Sequence, residues 1–396
     1  MEGSAVKEVN VTHEDVVARA ASMVPFLREK AFETEQKRKM LPEVYDRLSK
    51  AGLFKIMLAP RLGGLGMTLP THVEAVMETA RGCGSTAWLH SLIGNQNYLV
   101  GWYNPLAQDE VKATDEELFT CLVMGATITA DRADGGVRLT GSWPYVSGGD
   151  NANWLMLSAH DPDDPKRNLT CLVPKGSVSV KDDWFCLGMK GTGSKTVSLD
   201  DEFVPEHRIL CFREAERNGI PGSVVNDGLL YRTSPNSTVF AFVVAAPAVG
   251  LAECAIEAYR ERLKNRTNAR MPSVQSEWAS SQQLLGRARV KCDIARATVL
   301  DGAKDLMNKL GEGERISVED RVRYRMAMVE VVRLCGELVY ELFCDAGTGV
   351  MMEGSELQRA FRDLHVLRSH FVIVPEFAAE NAGRLQLGLN PAGPFV

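Results

Sequence analysis

Residues 141–154 read GSWPYVSGGDNANW, and this stretch lies at the centre of a segment with the pattern of β-strands. Short alternating or β-branched runs surround and overlap it: GATITA (125–130), VRLTGSW (137–143), NWLMLSA (153–159), LTCLVP (169–174) and KTVSL (195–199). Turn-forming residues such as ADGG at 133–136 separate the runs. Regularly spaced short strands with such turns predict an antiparallel β barrel or sandwich.

Helical patterns flank this segment on both sides. Thr12 and Asp15 have the spacing of a capping box, Pro42 is a helix start, and buried helices are predicted from Leu69 to Tyr103. After an irregular stretch at 213–235, long apolar-periodic segments follow at 238–265, 276–309, 317–346 and 356–382. Four long helices of this kind predict a bundle. The fold class is therefore α+β, with an N-terminal helical domain at 1–117, a middle β domain at 118–228 and a C-terminal four-helix bundle at 229–396.

The composition excludes several classes of protein. The 396 residues are 45% hydrophobic and 24% charged with a formal net charge of −6, which argues against nucleic acid as a partner. No targeting segment is visible, and the longest apolar stretch, 239–252, contains Pro247 and suits a core helix rather than a membrane span. Nine dispersed cysteines without CxxC spacing predict reduced thiols in a cytoplasmic protein and no metal site.

Three motifs carry a resemblance to a known family. LGMKGTGSKTVSLDDEFVPEHRIL (187–210), GSWPYVSGGDNANW (141–154) and AGTGVMMEGSELQRAFRDLH (346–365) occur in the order and spacing of the acyl-CoA dehydrogenase fold. The second resembles the strand that lies against the flavin ring in that family. The third resembles its final helix-loop-helix, whose arginine-aspartate pair matches Arg362 and Asp363. The resemblance covers nearly the whole chain and implies the same order of domains.

One departure from the dehydrogenases concerns the catalytic base. In short- and medium-chain dehydrogenases, a catalytic glutamate follows the matching aspartate by eight residues, whereas Phe371 stands at that position here. Removal of an α-proton from an acyl thioester requires a positioned carboxylate, and a phenyl ring cannot serve. Some members of the family place the glutamate on an earlier helix, where this chain has Glu253, Glu257 and Glu261. An acyl-CoA dehydrogenase with a relocated glutamate therefore remains a second hypothesis.

The spacing Arg362-Asp363-x-His365-x-x-x-x-His370, together with STAW at 85–88, resembles the oxygen-using branch of the fold. That branch comprises two-component flavin-dependent monooxygenases, including phenol, steroid-ring, thiophene-sulfur and polyketide hydroxylases and amino-sugar N-oxidases. The resemblance implies reduced flavin from a separate reductase, oxygen addition to give a C4a-hydroperoxyflavin, and oxygenation of an aromatic or polycyclic molecule in catabolism or secondary metabolism. Two more hypotheses stay open at this point: N-oxidation of an amine or amino sugar, and a catalytically silent flavin-binding module.

The resemblance also assigns residues to the reaction. Ser147 is expected at the N5–O4 edge of the flavin, Trp143 on its ring system, and Asp363 in a structural or cofactor-positioning role. His370 is expected to act as general base or as a donor that stabilises the peroxide, with His365 as a weaker candidate five positions away on the same predicted helix. Purely structural roles would make these residues a turn serine, a core tryptophan and a core histidine.

Two further groups complete the expected site. Trp88, His90, Asn95 and Gln96 are candidates for the substrate side, although a helix buried between domains would explain them as well. Arg266, with Arg270 as a competitor, matches the arginine that reaches a flavin phosphate across a subunit boundary in the family. Gly347 and Gly349 would let a neighbouring backbone approach the adenosine end. These features favour FAD over FMN and imply a homo-oligomer, with a tetramer as the expected form.

Overall fold

The computed structural model describes residues 11–114, 116–125, 128–232, 236–268 and 271–392. Arg270, two residues of the predicted strand GATITA and the last four residues of the chain lie outside these ranges. Helices, then sheets, then helices follow one another along the chain, which confirms the predicted order and the α+β class.

The N-terminal region is helical, and its first helix is capped as the sequence predicts. Thr12 Oγ1 accepts a hydrogen bond from the Asp15 N–H (3.1 Å), and Asp15 Oδ2 accepts one from the Thr12 N–H (2.9 Å). Proline opens the third helix, where its missing N–H costs nothing. The helices of this region are α1 (His13–Ser22), α2 (Val24–Lys37), α3 (Pro42–Lys50), α4 (Leu69–Ala80), α5 (Gly84–Val100) and α6 (Pro105–Lys112).

Two four-stranded sheets make up the middle region. They contain β1 (Thr120–Val123), β2 (Asp131–Ala133), β3 (Gly136–Val146), β4 (Trp154–His160), β5 (Asn168–Pro174), β6 (Ser179–Lys181), β7 (Lys195–Pro205) and β8 (Ile209–Leu210). The strand orders are β1-β4-β5-β8 and β2-β3-β7-β6. All neighbours are antiparallel except β1 and β4, which run parallel, so the purely antiparallel prediction was wrong for that pair. Of the described residues in GATITA, only Thr129 makes a β-bridge, to His160.

A bulge near the end of β3 changes which side chains face outward. The pairing of β3 with β7 shifts register between Trp143 and Val146, and Tyr145 has a φ of 65°. In an unbroken strand, residues 143 and 147 would lie on the same face because the side-chain period is two. The bulge instead leaves Trp143 buried between the sheets while Tyr145 is exposed.

The C-terminal region is organised around one apolar helix. After the short helix α7 (Phe212–Asn218), the chain forms α8 (Asn236–Asn265), a two-stranded ribbon of β9 (Thr267–Asn268) and β10 (Met271–Val274), α9 (Ala279–Gly311) and α10 (Val318–Asp345). Helix α8 contacts α4 and α5 from the N-terminal region and also α9, α10 and α11 (Glu356–Leu367). It is long and apolar enough to cross a bilayer, but 94% of its most apolar window is buried in the fold, as a core helix would be.

The fourth long helix of the predicted bundle is broken. Helix α11 ends at Leu367, a 3₁₀ turn covers Phe371–Ile373, and α12 (Pro375–Gln386) follows. Val374 precedes a proline, which disfavours the helical conformation at that residue. His370 therefore lies in the connection, with a ψ of 135°, and the prediction that it shares a helical face with Asp363, Leu367 and Val374 was wrong.

The domain boundaries remain a proposal. We place them near residues 117 and 228 because the first lies between α6 and β1 and the second lies in the irregular segment between α7 and α8. Neither position lies inside a helix or strand of the described residues, as expected of a boundary between domains.

Candidate functional site

A cavity of about 630 Å³ lies where the β3–β7 sheet, helix α5, helix α8 and the break after α11 meet. Apolar side chains form most of its wall, among them Leu92, Leu122, Met124, Phe240, Val366 and Leu367. No charged residue is present among the described residues that line it. A cavity of this size with a few polar groups is typical of a site for a small molecule or a cofactor.

Ser147 begins a chain of hydrogen bonds along one wall of the cavity. Its Oγ accepts from Trp88 Nε1 (3.2 Å) and lies 2.8 Å from Ser194 Oγ, which lies 2.6 Å from Thr192 Oγ1. Thr192 Oγ1 donates to the Met189 carbonyl (2.8 Å). We call Ser147, Ser194 and Thr192 the hydroxyl chain. Ser194 and Thr192 were not predicted from the sequence, although the small hydroxyl residues of GTGSKT (191–196) were the available signal.

His370 also lines the cavity, in an aromatic environment. Its ring centroid is 5.4 Å from that of Trp88, 5.9 Å from that of Phe240 and 4.6 Å from that of Phe371. Burial lowers the pKa of His370 to about 4, so the ring is neutral near pH 7. Nδ1 accepts a long hydrogen bond from the Val372 N–H (3.4 Å), which assigns the single proton of the neutral ring to Nε2.

Helix α5 supplies the wall next to His370. Trp88, Leu92 and Gln96 recur every fourth residue and all line the cavity, as side chains on one helical face do. Gln96 is 2% exposed, and no described residue offers a donor to its Oε1. Since an unpaired buried amide oxygen is costly, this atom is suited to accept a hydrogen bond from a ligand.

Two other candidates on α5 do not line the cavity. His90 points to the opposite side of the helix, where its Nδ1 is 3.1 Å from Thr79 Oγ1 and its ring lies against that of His72. Asn95 is fully buried, and neither of its amide atoms has a partner among the described residues. These two side chains do not line the 630 Å³ cavity, and their place on the substrate side stays a prediction.

Trp143 and His365 are also placed away from the cavity. The β3 bulge turns Trp143 into the space between the sheets, where Nε1 donates to the Ser158 carbonyl (2.8 Å). His365 lies on α11 before its end and stacks on Phe361 at 4.1 Å, with Nδ1 2.8 Å from the Phe361 carbonyl. Neither residue lines the wall, so the flavin contact of Trp143 and the catalytic role of His365 stay predictions that this cavity does not support.

Asp363 acts on the cavity through Met189 and does not line it. Its Oδ1 accepts from the Met189 N–H (2.6 Å), and Met189, which lines the cavity, has a left-handed φ of 52°. The neighbouring Arg362 donates to the Leu187 carbonyl (2.9 Å) and pairs with Glu35. Burial raises the pKa of Asp363 to about 6. Asp363 thus lies behind the cavity wall, and the structural or cofactor-positioning role expected for it stays a prediction that this contact supports.

Arg266, Gly347 and Gly349 lie together in a different region. Arg266 Nη1 donates to Gln275 Oε1 (2.8 Å) and to the Asp345 carbonyl (2.8 Å). A Cβ at Gly347 would lie 2.3 Å from Arg266 Nη2, and one at Gly349 would lie 2.7 Å from Arg262 Nη2. The space above both glycines is thus filled by guanidinium groups of the same chain, not left open for a neighbouring backbone.

The three glutamates that could replace the catalytic base of the dehydrogenases lie outside the cavity. Glu257 pairs with Arg28 (2.6 Å) and Arg81 (2.6 Å), while Glu261 pairs with Lys264 (2.8 Å). Burial alone would raise the pKa of Glu253, but its ion pair with Arg289 holds that pKa below the usual value. None of the three lines the 630 Å³ cavity, so the relocated-base hypothesis has no carboxylate where the flavin would react.

Comparisons with known proteins identify relatives of this chain. The family model "Acyl-CoA dehydrogenase, N-terminal domain" matches residues 13–113, and "Acyl-CoA dehydrogenase, C-terminal domain" matches residues 242–375. The flavin-dependent monooxygenase oxygenase subunit HsaA of Rhodococcus jostii (strain RHA1) is 29% identical over 94% of this chain and 98% of its own length. The oxygenase component of the FADH(2)-dependent resorcinol hydroxylase of Rhizobium sp. (strain MTP-10005) is 29% identical over 97% and 96%.

A solved structure agrees with these sequence matches. XiaF from Streptomyces sp., in complex with FADH2 and glycerol, superimposes with a TM-score of 0.88 at 28% identity. The match covers 97% of this chain and 98% of that chain. The similarity therefore extends over all three regions of the fold.

Proposed function

Because the chain belongs to the acyl-CoA dehydrogenase superfamily, in its branch of two-component flavin-dependent monooxygenases, we propose that it hydroxylates a phenolic substrate beside Ser147 and His370. The observation that carries this proposal is the apolar cavity in which Ser147, Gln96 and His370 meet, with no charge among its described lining residues. An uncharged, largely apolar wall suits an aromatic ring better than an amino sugar, whose amine would need a charged or strongly polar partner.

The residues present fit a reduced flavin. The volume of the cavity accommodates a tricyclic ring beside a small aromatic molecule, and Trp88, Tyr145 and Trp184 supply aromatic surface. The Ser147 hydroxyl lies at the wall that the resemblance assigns to the flavin edge. When bound, reduced flavin supplies two electrons that activate oxygen, so that one oxygen atom enters the substrate and the other leaves as water. We propose FAD as the cofactor, with FMN as the second candidate.

Gln96 is proposed to recognise the substrate. A phenol hydroxyl that donates to Gln96 Oε1 would satisfy the unpaired amide oxygen described above. The aromatic ring of the substrate would then lie against Phe240, Leu92 and Trp88, which line the same part of the cavity. An analogue without the hydroxyl leaves Oε1 unpaired and is expected to bind more weakly.

His370 is proposed to donate its Nε2 proton. With a pKa of about 4 the ring is neutral near pH 7, and the Val372 N–H occupies Nδ1. A neutral imidazole N–H in an apolar cavity can stabilise negative charge that develops on oxygen, and it can return the proton through the same atom. The apolar rings around His370 limit the access of water. Water would favour the loss of the activated oxygen as hydrogen peroxide, a reaction that competes with hydroxylation.

The test is to supply reduced FAD aerobically, from NADH and a flavin reductase, with phenol or resorcinol as probe. We expect hydroxylated product, with oxygen from O2 incorporated, and little product from benzene of the same ring size. Ser147→Ala is expected to release hydrogen peroxide about tenfold faster than the wild type, because one hydrogen bond is lost at the flavin edge. Absence of product with any phenol, while reduced FAD is consumed only at its free-solution rate, would reject the proposal.

The proposed partners are the reductase and further copies of this chain. Arg266, Gly347 and Gly349 lie apart from the cavity, so a flavin phosphate that reaches them would be bound to another subunit, as in a tetramer built from two dimers. We place the protein in the cytoplasm, where its nine unpaired thiols would stay reduced. A protein that is monomeric in solution and still binds FAD with full affinity would contradict a phosphate site shared between subunits.

A further inference from the structure

We propose that the cavity admits phenols without a charge and rejects those that carry a carboxylate, with Leu92 as the residue that contacts the para substituent. The inference rests on the proposed function, since it takes the phenol hydroxyl to be bound at Gln96. It deepens that function by naming the class of phenol, which an aromatic wall by itself does not distinguish. Leu92 is therefore a specificity-determining residue and takes no part in the reaction.

The walls offer no opposite charge to a carboxylate. No described residue that lines the cavity is charged near pH 7, and Ala126 and Thr127, which follow the lining residue Gly125 in the chain, have no ionisable side chain. His370 is neutral at that pH because burial lowers its pKa to about 4. An ionised carboxylate in such a place loses its water without gaining a counter-ion.

Most side-chain donors in the cavity are already engaged within the protein. The indole N–H groups of the two lining tryptophans donate to protein oxygens, and the Ser369 hydroxyl donates to the His365 carbonyl (3.2 Å). On the substrate side the Gln96 amide and His370 Nε2 remain, and both are neutral. Two neutral hydrogen bonds do not replace the hydration of a carboxylate, so its transfer into the cavity stays unfavourable.

Cations behind the walls do not line the cavity. Arg325 Nε donates to the Val372 carbonyl (3.0 Å), and Arg362 pairs with Glu35. A cation close to the cavity would lower the pKa of His370 further, but burial is the cause of that lowered pKa and neither arginine contributes to it. Among the described residues, no positive charge therefore compensates a carboxylate in the cavity.

Leu92 lies where a para substituent would be. It precedes Gln96 by one turn of α5, about 6 Å along the helix axis. That distance is close to the length of a phenol from its oxygen to the first atom of a para substituent. Val100, one turn beyond Gln96 in the other direction, does not line the cavity, so the ring extends from Gln96 towards Leu92. The Leu92 side chain is buried and apolar, and it favours an alkyl substituent over an ionised one.

The test compares three phenols of one shape: para-isobutylphenol, para-hydroxyphenylacetamide and para-hydroxyphenylacetate. Their para substituents have the same number of non-hydrogen atoms, so the three differ in polarity and charge and hardly in size. Calorimetry with reduced FAD present and oxygen absent measures their dissociation constants, and hydroxylated product is measured in parallel with oxygen present. We expect para-isobutylphenol to bind at least about 100-fold more tightly than para-hydroxyphenylacetate, with the amide between them.

A cation placed in the wall is expected to reverse this preference. Leu92→Lys puts an ammonium beside the para substituent, where it pairs with a carboxylate. We expect the ratio of the dissociation constants of para-isobutylphenol and para-hydroxyphenylacetate to shift about 100-fold in favour of the carboxylate. Leu92→Met keeps the wall apolar and is expected to keep the wild-type ratio. Leu106→Lys adds the same charge at a side chain that is 61% exposed and outside the cavity, so it should also leave the ratio unchanged.

The outcomes distinguish the inference from the function on which it rests. Equal affinities of the wild type for para-isobutylphenol and para-hydroxyphenylacetate overturn the inference even if both are hydroxylated. A ratio that stays unchanged in folded Leu92→Lys overturns it as well. If Leu92→Lys does not fold, Leu122→Lys tests the same point, because Leu122 lines the cavity from the half-buried end of β1. A wild type that neither binds nor hydroxylates any of the three phenols overturns the proposed function.

Discussion

The two walls of the cavity differ in how their polar atoms are paired. On the β-domain side, every hydroxyl from Ser147 to Thr192 has a hydrogen-bond partner within the protein. On the helical side, Gln96 Oε1 has no described partner, and His370 is paired only through a long bond to Nδ1. A saturated wall is rigid and suits a cofactor that must bind in the same orientation in every cycle. An unsaturated wall is completed by the substrate.

The helical wall is expected to control the yield of hydroxylation, and His370 most strongly. His370→Ala should lower the product formed per reduced flavin about 100-fold, because a proton donor is lost next to the reacting oxygen. The measurement is product and hydrogen peroxide per flavin oxidised, at saturating phenol.

His365→Ala is the matched control for that experiment. His365 stacks on Phe361 outside the cavity, so its removal should leave the yield near that of the wild type. If the two variants formed equal amounts of product per reduced flavin, His370 would have no part in the mechanism. The two walls would then not differ in their contribution to hydroxylation.

A second prediction contrasts two neighbours on α5. Gln96→Leu should weaken phenol binding about tenfold and yet raise the free energy of unfolding by about 1 kcal/mol, because an unpaired buried oxygen is removed. Asn97→Leu should lower that free energy by about 3 kcal/mol, since Asn97 donates to the Phe54 and Leu118 carbonyls and accepts from the Thr120 N–H.

Thermal or urea unfolding without substrate, together with phenol titration, measures both effects. A Gln96→Leu variant that is less stable than the wild type would mean that Oε1 is satisfied in the free protein. The helical wall would then be as saturated as the other wall.

A third prediction concerns pH and the buried histidines of the helical regions. Burial lowers the pKa of His72 and of His370 to about 4 from 6.5, so between these values the unfolded chain binds more protons than the folded one. The free energy of unfolding therefore falls as the pH falls from about 6.5 to about 4. Asp363, with a pKa raised to about 6 from 3.8, opposes this because its folded form takes up a proton in the same window.

Burial also lowers the pKa of His90 well below its usual value, so three histidines outweigh one carboxyl and the net loss should be about 2 kcal/mol per pH unit between pH 6 and pH 4. Urea titrations at several pH values measure it, and His72→Gln should reduce the slope. A free energy of unfolding that rises as the pH falls through this window would show that the Asp363 carboxyl dominates.

The site in the structure differs from the predicted one, and each difference has a cause in particular residues. Trp143 lies on β3 and Ser147 directly follows that strand, but the bulge between Trp143 and Val146 separates the directions of the two side chains because one extra residue reverses the facing of what comes after it. His365 and His370 were assigned to one helix, but the turn before Pro375 places only His370 at the cavity. Ser194 and Thr192 lie more than forty residues from Ser147 along the chain, so no local pattern could join them to it.

The sequence by itself determined the order of helical and β regions, because periodicity is a property of contiguous segments. The resemblance of three motifs to a known family indicated the family and the class of reaction. Only the tertiary structure decided which side chains share the cavity and which of them are hydrogen-bonded to one another. The physical reason is that a cavity is formed by residues from separate elements, here from Trp88 to Phe371, whose meeting depends on bulges, breaks and packing. Those features shift a side chain from one face to another without changing the pattern that predicts the element.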